Sequence, residues 1–296
     1  MPSSVADRTA APARRVILVV LDGLRAELVH DARFPNLGHL RASGASTTEA
    51  VTVLPSVTAC AMTSLLTGVA PARHGVMSDR FALPRLHAQE CSIARMVADA
   101  GLPVTGIVRQ VPWLIRPLAA RMVSALGLTT VRFAAPNAHS LLHAARPALT
   151  TQADGLIIIH WPDCDTIGHR TGWMSPAYLA AVARMDQALG TLLGLVRDGP
   201  PDTLLVALAD HGGGGRVPTH HDSAHPFDCT IPIMFSGTCV EPQRLRDGLT
   251  LLDVPATILA ALGICIPASY DGTPIAGVFR HAWQSAERDV PAASAA

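Results

Sequence analysis

Short apolar runs alternate along the chain with longer stretches rich in Ala, Leu and Arg. The apolar runs, which are rich in Val, Ile and Leu, predict strands at 16–21, 104–109, 129–133, 155–160, 203–209 and 231–236. The longer stretches predict helices at 35–43, 58–67, 91–100, 113–126, 137–147, 176–197 and 253–262. Because strand and helix patterns alternate, we expect an α/β fold in which helices cover both faces of a mostly parallel sheet, an α/β/α sandwich.

The alternating pattern extends over residues 14–283, and we expect this stretch to form a single domain. Residues 1–13 predict a disordered leader and residues 284–296 a flexible tail, while the irregular part 76–150 is where we expect any small cap. No run reaches the roughly 18 consecutive apolar residues of a membrane-spanning helix, and the leader lacks the apolar core of a signal peptide. We therefore expect a cytoplasmic protein with no membrane attachment.

The charge balance limits the partners that this chain can attract. Basic and acidic residues both number 23, so no net field favours nucleic acid or an anionic membrane. Every basic residue is Arg, which excludes a mechanism that needs a catalytic lysine. The six cysteines are scattered without a C-x-x-C pair, so a zinc ribbon or a thioredoxin-like motif is excluded and free thiols in a reducing compartment are expected.

Metal-type side chains follow three of the predicted strands. Asp22 comes directly after the first strand, Asp165 lies shortly after 155–160, and Asp210 follows 203–209. The carboxyl ends of parallel strands meet at one edge of a sheet, where open α/β sheets build their sites. Histidines accompany these acids and continue in a later cluster: His169, His211, His220, His221 and His225. This donor set suits a site that binds two divalent metals and transfers a phosphoryl group.

A threonine lies at the predicted start of a helix between the first two acidic positions. Pro55 and Ser56 end an extended segment, and Ala59 onward has good helix formers, so Thr58 falls near the helix N-terminus. Free N–H groups there favour an anion. A Thr at such a position is either a helix cap or a nucleophile, and the surrounding metal-type clusters favour the nucleophile.

The order of these motifs resembles the alkaline phosphatase superfamily, and within it the type I phosphodiesterase and nucleotide pyrophosphatase branch together with phosphonoacetate hydrolase. The resemblance rests on the run Val19-Val20-Leu21-Asp22-Gly23-Leu24-Arg25, the segment Pro55 to Gly68 with His74-Gly75, Asp165-Thr166-Ile167-Gly168-His169, and Asp210-His211-Gly212-Gly213. It covers roughly residues 15–270 and implies an alkaline-phosphatase-like catalytic domain.

The resemblance also implies a ligand set for two metals, with zinc as the expected ion and manganese or iron as alternatives. One metal would be bound by Asp165, His169 and a histidine of the later cluster, for which we prefer His221 over His220 and His225. The other would be bound by Asp22, Asp210 and His211. Thr58 would bridge both metals and attack phosphorus, forming a covalent phospho-enzyme.

Two sequence features limit this interpretation. The family often carries an Asn three residues after the nucleophile to bind a phosphate oxygen, and here that position is Ala61. A type I sulfatase would need a C/S-x-P-x-R motif, and the residues after Cys60 do not form one. The first departure puts the substrate class in doubt more than metal binding, and the second argues against sulfatase chemistry.

We therefore expect a metal-dependent phosphoric ester hydrolase acting on a small phosphodiester or nucleotide pyrophosphate. Hydrolysis of a phosphonate or phosphomonoester is the alternative within the same class. An alternative of another class is a catalytically reduced protein that keeps its metals for structure and binds a ligand or partner. The sequence leaves the oligomeric state open.

Overall fold

The computed structural model describes residues 11–79, 84, 92–111 and 127–280. Most of the predicted leader 1–13, the whole predicted helix 113–126 and the whole predicted tail 284–296 lie outside these residues. The described parts of 76–150 contribute strands and helices to the main fold, and the rest of this stretch, where a cap was expected, also lies outside the described residues.

Eight strands of the described chain form one mixed sheet in the order β4-β3-β5-β1-β6-β7-β2-β8. The strands are β1 Arg15–Leu21, β2 Ala45–Val51, β3 Val104–Arg109, β4 Thr130–Ala134, β5 Gly155–Trp161, β6 Thr203–Leu208, β7 Thr230–Ser236 and β8 Gln243–Arg244. The strand β7 pairs antiparallel with both β6 and β2, and every other neighbouring pair is parallel. The predicted mostly parallel sheet is confirmed.

The longer helices of the described residues pack in two groups. The helices in chain order are a 3-10 helix Ala26–His30 and α1 Pro35–Ser43, α2 Thr58–Thr67, α3 Pro71–His74, α4 Ile93–Asp99, α5 Ala138–Thr151, α6 Asp163–Thr171, α7 Pro176–Arg197, α8 Pro226–Cys229 and α9 Asp253–Ala261. The helices α1, α5 and α6 contact α7, whereas α2 and α4 contact α9. This grouping is the one expected when helices cover both faces of a sheet.

The central strands β1, β5 and β6 form the middle of the core. Every residue of β1 and β6 is buried, as is nearly all of β5. Strands buried on both faces need continuous rather than alternating apolar sequence. That requirement explains why these three strands are clear in the sequence.

The helix α7 is long and apolar enough to cross a membrane by length and composition. Core helices of globular proteins pass the same test, so this property is weak support for a membrane span. In the structure α7 buries Tyr178, Val182, Met185 and Leu189 and packs against α1, α5 and α6.

The sequence did not predict β2. Its residues, Ala-Ser-Thr-Thr-Glu-Ala-Val, contain no apolar run, although β-branched Thr favours strands. The strand forms because both of its edges are paired, antiparallel to β7 and parallel to β8. It matters for the site because the chain leaves its carboxyl end toward α2, which begins at Thr58.

Candidate active site

The sheet brings the predicted acidic residues to one edge. The strands β5, β1 and β6 are adjacent and parallel, with Leu21 opposite Trp161 and Val20 opposite Leu208. The segments that follow their carboxyl ends carry Asp165, Asp22 and Asp210. Since β7 runs in the opposite direction, the chain between β6 and β7 returns to this same edge and carries the later histidines with it.

Gly23 allows two of these segments to approach closely. Its φ is +71°, and a Cβ at this position would lie 2.8 Å from the Cα of Asp165. The Asp165 N–H also donates to the Asp22 carbonyl at 3.0 Å. A glycine is therefore required here both for its backbone conformation and for space.

The first cluster consists of Asp22, Asp210 and His211, all of which are at most 3% exposed. His211 Nε2 lies 3.3 Å from Asp22 Oδ1 and 3.6 Å from Asp210 Oδ2. The backbone N–H groups of Gly23 and His211 donate to Asp210 Oδ1, at 3.3 and 3.0 Å. These bonds fix the Asp210 carboxylate, and its Oδ2 is buried without a hydrogen-bond donor.

The second cluster consists of Asp165, His169 and His221. Asp165 and His169 lie one turn apart on α6, with His169 Nε2 3.3 Å from Asp165 Oδ1. His221 comes from the segment between β6 and β7, and its Nε2 lies 3.4 Å from the same oxygen. The Asp165 Oδ1 atom is buried and has no hydrogen-bond partner.

The two clusters adjoin each other. Asp22, Asp165 and His211 offer ligand atoms that all lie within 4.8 Å of one another, although they belong to different clusters. The rings of His211 and His221 are stacked, with centroids 3.8 Å apart. Two cations bound here would therefore be neighbours, as a two-metal phosphoryl-transfer site requires.

Backbone carbonyls set the orientation of all three histidines. The Nδ1 atoms of His169, His211 and His221 contact the carbonyl oxygens of Thr219, Gly212 and Ser56 at 2.8, 2.9 and 2.6 Å. A carbonyl only accepts, so each Nδ1 carries the proton and donates it. In the neutral ring each Nε2 then has a lone pair directed into the cluster, which is how metal-binding histidines are held.

The charges of the site favour added positive charge. Burial, and then the nearby Asp210 carboxylate, raise the pKa of Asp22 to about 7. Burial alone would lower the pKa of His211. The negative charges of Asp210, Asp22 and Asp165 outweigh this effect and raise the pKa to about 9. Asp22 therefore retains a proton, or lies beside a protonated His211, unless a cation compensates its charge.

The residues present fit divalent metals. Oxygen and nitrogen donors in sets of three suit zinc. The Nε2 atoms of His169 and His221 lie 3.0 Å apart, and two lone pairs at this distance repel each other unless a proton or cation lies between them. The unpartnered oxygens of Asp165 and Asp210 are further donors in the same small volume.

Thr58 lies against the first cluster. It is the first residue of α2, and its Oγ1 lies 3.0 Å from His211 Nε2 and 3.4 Å from Asp22 Oδ1. It does not cap α2, because the capping position is Val57 and has no side-chain bond. The hydroxyl therefore faces the cluster rather than serving the helix end.

The structure separates the three candidate distant histidines. His221 is 3% exposed and lies in the second cluster. His220 is exposed and contacts Thr219, whereas His225 accepts from the Phe227 N–H at the start of α8. His221 is therefore the one of the three that lies with Asp165 and His169, and its role as a metal ligand stays a prediction.

Several residues around the site escaped the sequence analysis. His160 lies near the end of β5, and its Nε2 is 3.0 Å from Asp22 Oδ2, so that Asp22, His160 and Asp210 form a further group of potential ligands. The Ser56 hydroxyl donates to the carbonyls of His221 and Ser223 and so joins the nucleophile segment to the ligand segment. A histidine within an apolar strand and a serine after a proline gave no distinctive pattern.

Trp173 also supports the site. Its Nε1–H donates to the Gly23 carbonyl at 2.9 Å, and its ring contacts His169 edge-on with centroids 5.2 Å apart. A Cβ on Gly213 would lie 2.1 Å from this ring. Close packing against Trp173 therefore explains the glycine at position 213.

The side chain of Ala61 is fully buried and belongs to the hydrophobic core. An apolar side chain at this position offers no hydrogen-bond donor to a phosphate oxygen.

The chain matches the type I phosphodiesterase / nucleotide pyrophosphatase family over residues 16–137 and 121–228, which together exceed half of its length. The chain belongs to this family. Among curated proteins it resembles 2,3-bisphosphoglycerate-independent phosphoglycerate mutases, with 30% identity over 144 residues to that of Haloarcula marismortui and 29% over 116 residues to that of Listeria welshimeri. These matches cover 47% and 39% of this chain but only 27% and 22% of the relatives.

Solved structures show the same fold. Human ectonucleotide pyrophosphatase / phosphodiesterase 5 superposes with a TM-score of 0.69 at 12% identity, covering 87% of this chain and 97% of that one. The phosphonate monoester hydrolase of Silicibacter pomeroyi gives 0.63 at 16% identity, with coverages of 88% and 75%. A 2-O GAG sulfatase gives 0.69 at 15% identity, with coverages of 89% and 73%. The alkaline-phosphatase-like fold expected from the sequence is confirmed.

Proposed function

We propose that this family member is a two-metal hydrolase of phosphodiesters or nucleotide pyrophosphates that uses Thr58 as its nucleophile. The single observation that carries the proposal is the position of the Thr58 hydroxyl at the N-terminus of α2, 3.0 Å from His211 Nε2 and next to Asp22. Murine ectonucleotide pyrophosphatase / phosphodiesterase 5, which shares the fold, is described as an inactive threonine-to-alanine variant in complex with AMP.

The protein's own residues supply binding, orientation and the attacking group. Asp22, Asp210 and His211 would bind one cation, and Asp165, His169 and His221 the other. Bound cations, most simply zinc, would polarise the phosphoryl oxygens and neutralise developing charge. The N–H groups at the start of α2 lie beside Thr58, where they can stabilise an anionic oxygen.

The proposed reaction has two steps, transfer of the phosphoryl group to Thr58 and hydrolysis of the resulting phosphothreonine. The Thr58 oxygen forms a bond to phosphorus while the bond to the leaving-group oxygen breaks, and the hydroxyl proton passes to a neighbouring base. Water then attacks the phosphothreonine, regenerates the hydroxyl and releases the phosphate product. Asp22 Oδ1, which lies 3.4 Å from the Thr58 hydroxyl, would accept this proton, because a carboxylate oxygen keeps a lone pair when it binds a cation.

The test compares Thr58→Ala with Thr63→Ala, which removes the same group from the same helix. The Thr63 hydroxyl donates to the Ala59 carbonyl and does not face the clusters. We expect Thr58→Ala to lower turnover of bis-p-nitrophenyl phosphate by more than about 10³-fold. Metal content, measured by mass spectrometry, should stay near two per chain, and Thr63→Ala should remain active. Full activity of Thr58→Ala would refute the assignment.

A phosphonate or phosphomonoester hydrolase is the second candidate. It is favoured by the shared fold of the phosphonate monoester hydrolase and by the similarity to phosphoglycerate mutases. Comparing a diester, a monoester and a phosphonate monoester with the same leaving group would rank the three activities. A protein that binds two metals but turns over none of them would instead fit the catalytically reduced alternative.

We also propose a cytoplasmic location. The support is the scattered arrangement of thiols, since the cysteines in the described residues are all free. Fractionation of cells that express the tagged chain would test this.

A further inference from the structure

A carboxylate lies on the helix end where the proposed substrate would bind. The Ala59 N–H, in the first turn of α2 and next to Thr58, donates to Asp79 Oδ1 at 2.9 Å. Asp79 follows α3 and is exposed, so its side chain reaches this N–H from the solvent side. The partner of this helix end is thus an anion that belongs to the protein.

This helix end is part of the site rather than an isolated terminus. Thr58 connects it to His211 and Asp22, and the buried Asp210 Oδ2, in the same cluster, has no hydrogen-bond partner. A phosphoryl group attacked by the Thr58 oxygen must place its non-bridging oxygens close to the first turn of α2. One of them would compete with Asp79 for the Ala59 N–H.

We propose that Asp79 is a specificity-determining residue that disfavours dianionic phosphomonoesters relative to monoanionic phosphodiesters. The inference rests on the proposed function, because it assumes phosphoryl transfer to Thr58. A monoester dianion has three charged non-bridging oxygens, whereas a diester has two that share a single charge. The repulsion between Asp79 and the substrate is therefore larger for the monoester than for the diester. A monoester oxygen would also have to displace the Asp79 carboxylate from the Ala59 N–H against this larger repulsion.

The experiment uses the full chain with its metals bound and four variants. Asp79→Asn removes the charge but keeps an oxygen that can accept from Ala59, and Asp79→Ala removes both. Asp79→Glu keeps the charge. Asp198→Asn removes one exposed carboxylate, paired with Arg197 at the far end of α7, and controls for the change in net charge.

The readouts are kcat/KM for p-nitrophenyl phosphate and for bis-p-nitrophenyl phosphate. We expect Asp79→Asn and Asp79→Ala to raise the monoester-to-diester ratio by about tenfold, which corresponds to the loss of one partly screened charge contact. Asp79→Glu and Asp198→Asn should leave the ratio within about twofold of the original protein. The melting temperature should fall for Asp79→Ala, which loses the bond to Ala59, and remain constant for Asp79→Asn.

Binding of inorganic phosphate to the metal-loaded protein provides a test that needs no turnover. Calorimetry should show about tenfold tighter phosphate binding to Asp79→Asn than to the original protein. An unchanged ratio together with unchanged phosphate affinity would overturn the inference, as would an equal loss of both activities in Asp79→Asn. If the original protein hydrolyses neither ester, the proposed function fails, and the phosphate titration alone decides the role of Asp79.

Discussion

The two ligand clusters differ in depth and in what fixes them. The first, Asp22, Asp210 and His211, lies directly at the ends of β1 and β6 and is almost wholly buried. In the second, the side chains of His169 and Asp165 are 43% and 17% exposed, and the ligands lie on α6 and on the segment before β7. The sheet thus fixes the first cluster, whereas the second depends on one helical turn and a longer connection. We expect the first to bind its metal more slowly and more durably, and the second to exchange with solvent.

The largest effect on activity is expected from Asp210→Asn in the first cluster. The amide can still accept the two backbone N–H bonds at Oδ1, but it replaces the unpartnered oxygen with an NH₂ group that cannot bind a cation. We expect activity to fall by at least about 10³-fold, with the metal lost from the first cluster only. Asp247→Asn, an exposed carboxylate paired with Arg244, serves as the control. Retention of two metals at full activity would contradict the assignment of Asp210.

The next effect concerns His169→Ala in the exposed cluster. Loss of this ligand should lower the metal affinity of the second cluster by more than about 100-fold and leave the metal of the first cluster in place, so the protein should contain about one metal ion per chain. His220→Ala is the matched control, since this neighbouring histidine is exposed and its side chain hydrogen-bonds Thr219 rather than a residue of either cluster. Metal analysis after dialysis measures both. Loss of both metals would show that the clusters do not bind independently.

A smaller effect is expected from His160→Ala. His160 Nε2 lies 3.0 Å from Asp22 Oδ2, whereas His211 Nε2 lies near Oδ1, so the two histidines contact different oxygens of this carboxylate. Removing a residue that contacts a metal ligand typically lowers metal affinity by about 10–100-fold. We expect His160→Ala to lower the metal affinity of the first cluster by about tenfold and to leave that of the second cluster unchanged. His143→Ala on α5 is an exposed control. A calorimetric zinc titration that shows equal weakening at both clusters would argue against this role.

The smallest effect is a graded response to pH. The Asp165 carboxylate, which lies 3.3 Å from His169 Nε2, raises the pKa of His169, and the surrounding carboxylates raise the pKa of His211 to about 9. Since a ligand imidazole must lose its Nε2 proton, metal binding releases protons and affinity rises with pH. The gain is at most about tenfold per pH unit for each proton released, and for the first cluster it should continue to about pH 9. Titrations in buffers of different ionisation enthalpy would count the protons. Affinity that does not depend on pH would contradict the ligand set.

The sequence predicted the parts of the site that follow directly from buried strands. Asp22 and Asp210 each come one or two residues after a continuous apolar run, so both the strand and its end are visible. His221 could be preferred but not distinguished from His220 and His225, because the choice depends on Ser56, which binds the 221–223 segment across 165 positions of sequence.

Other features required tertiary structure. The strand β2 is stabilised by its pairing with β7, so its own polar sequence gives little sign of it. Asp79 reaches α2 through the turn after α3, which the sequence analysis did not predict. The positions of β2 and Asp79 depend on contacts between short polar segments, and such contacts leave no periodic pattern in the sequence.

The reversed direction of β7 has a consequence for how this enzyme scaffold can diversify. Both ends of the connection that carries His221 are anchored in adjacent strands, so its ligand is positioned from two sides. Arg216 and Val217 are exposed positions of that connection. Residues inserted there would lengthen the connection on its solvent side and leave the anchored position of His221 unchanged.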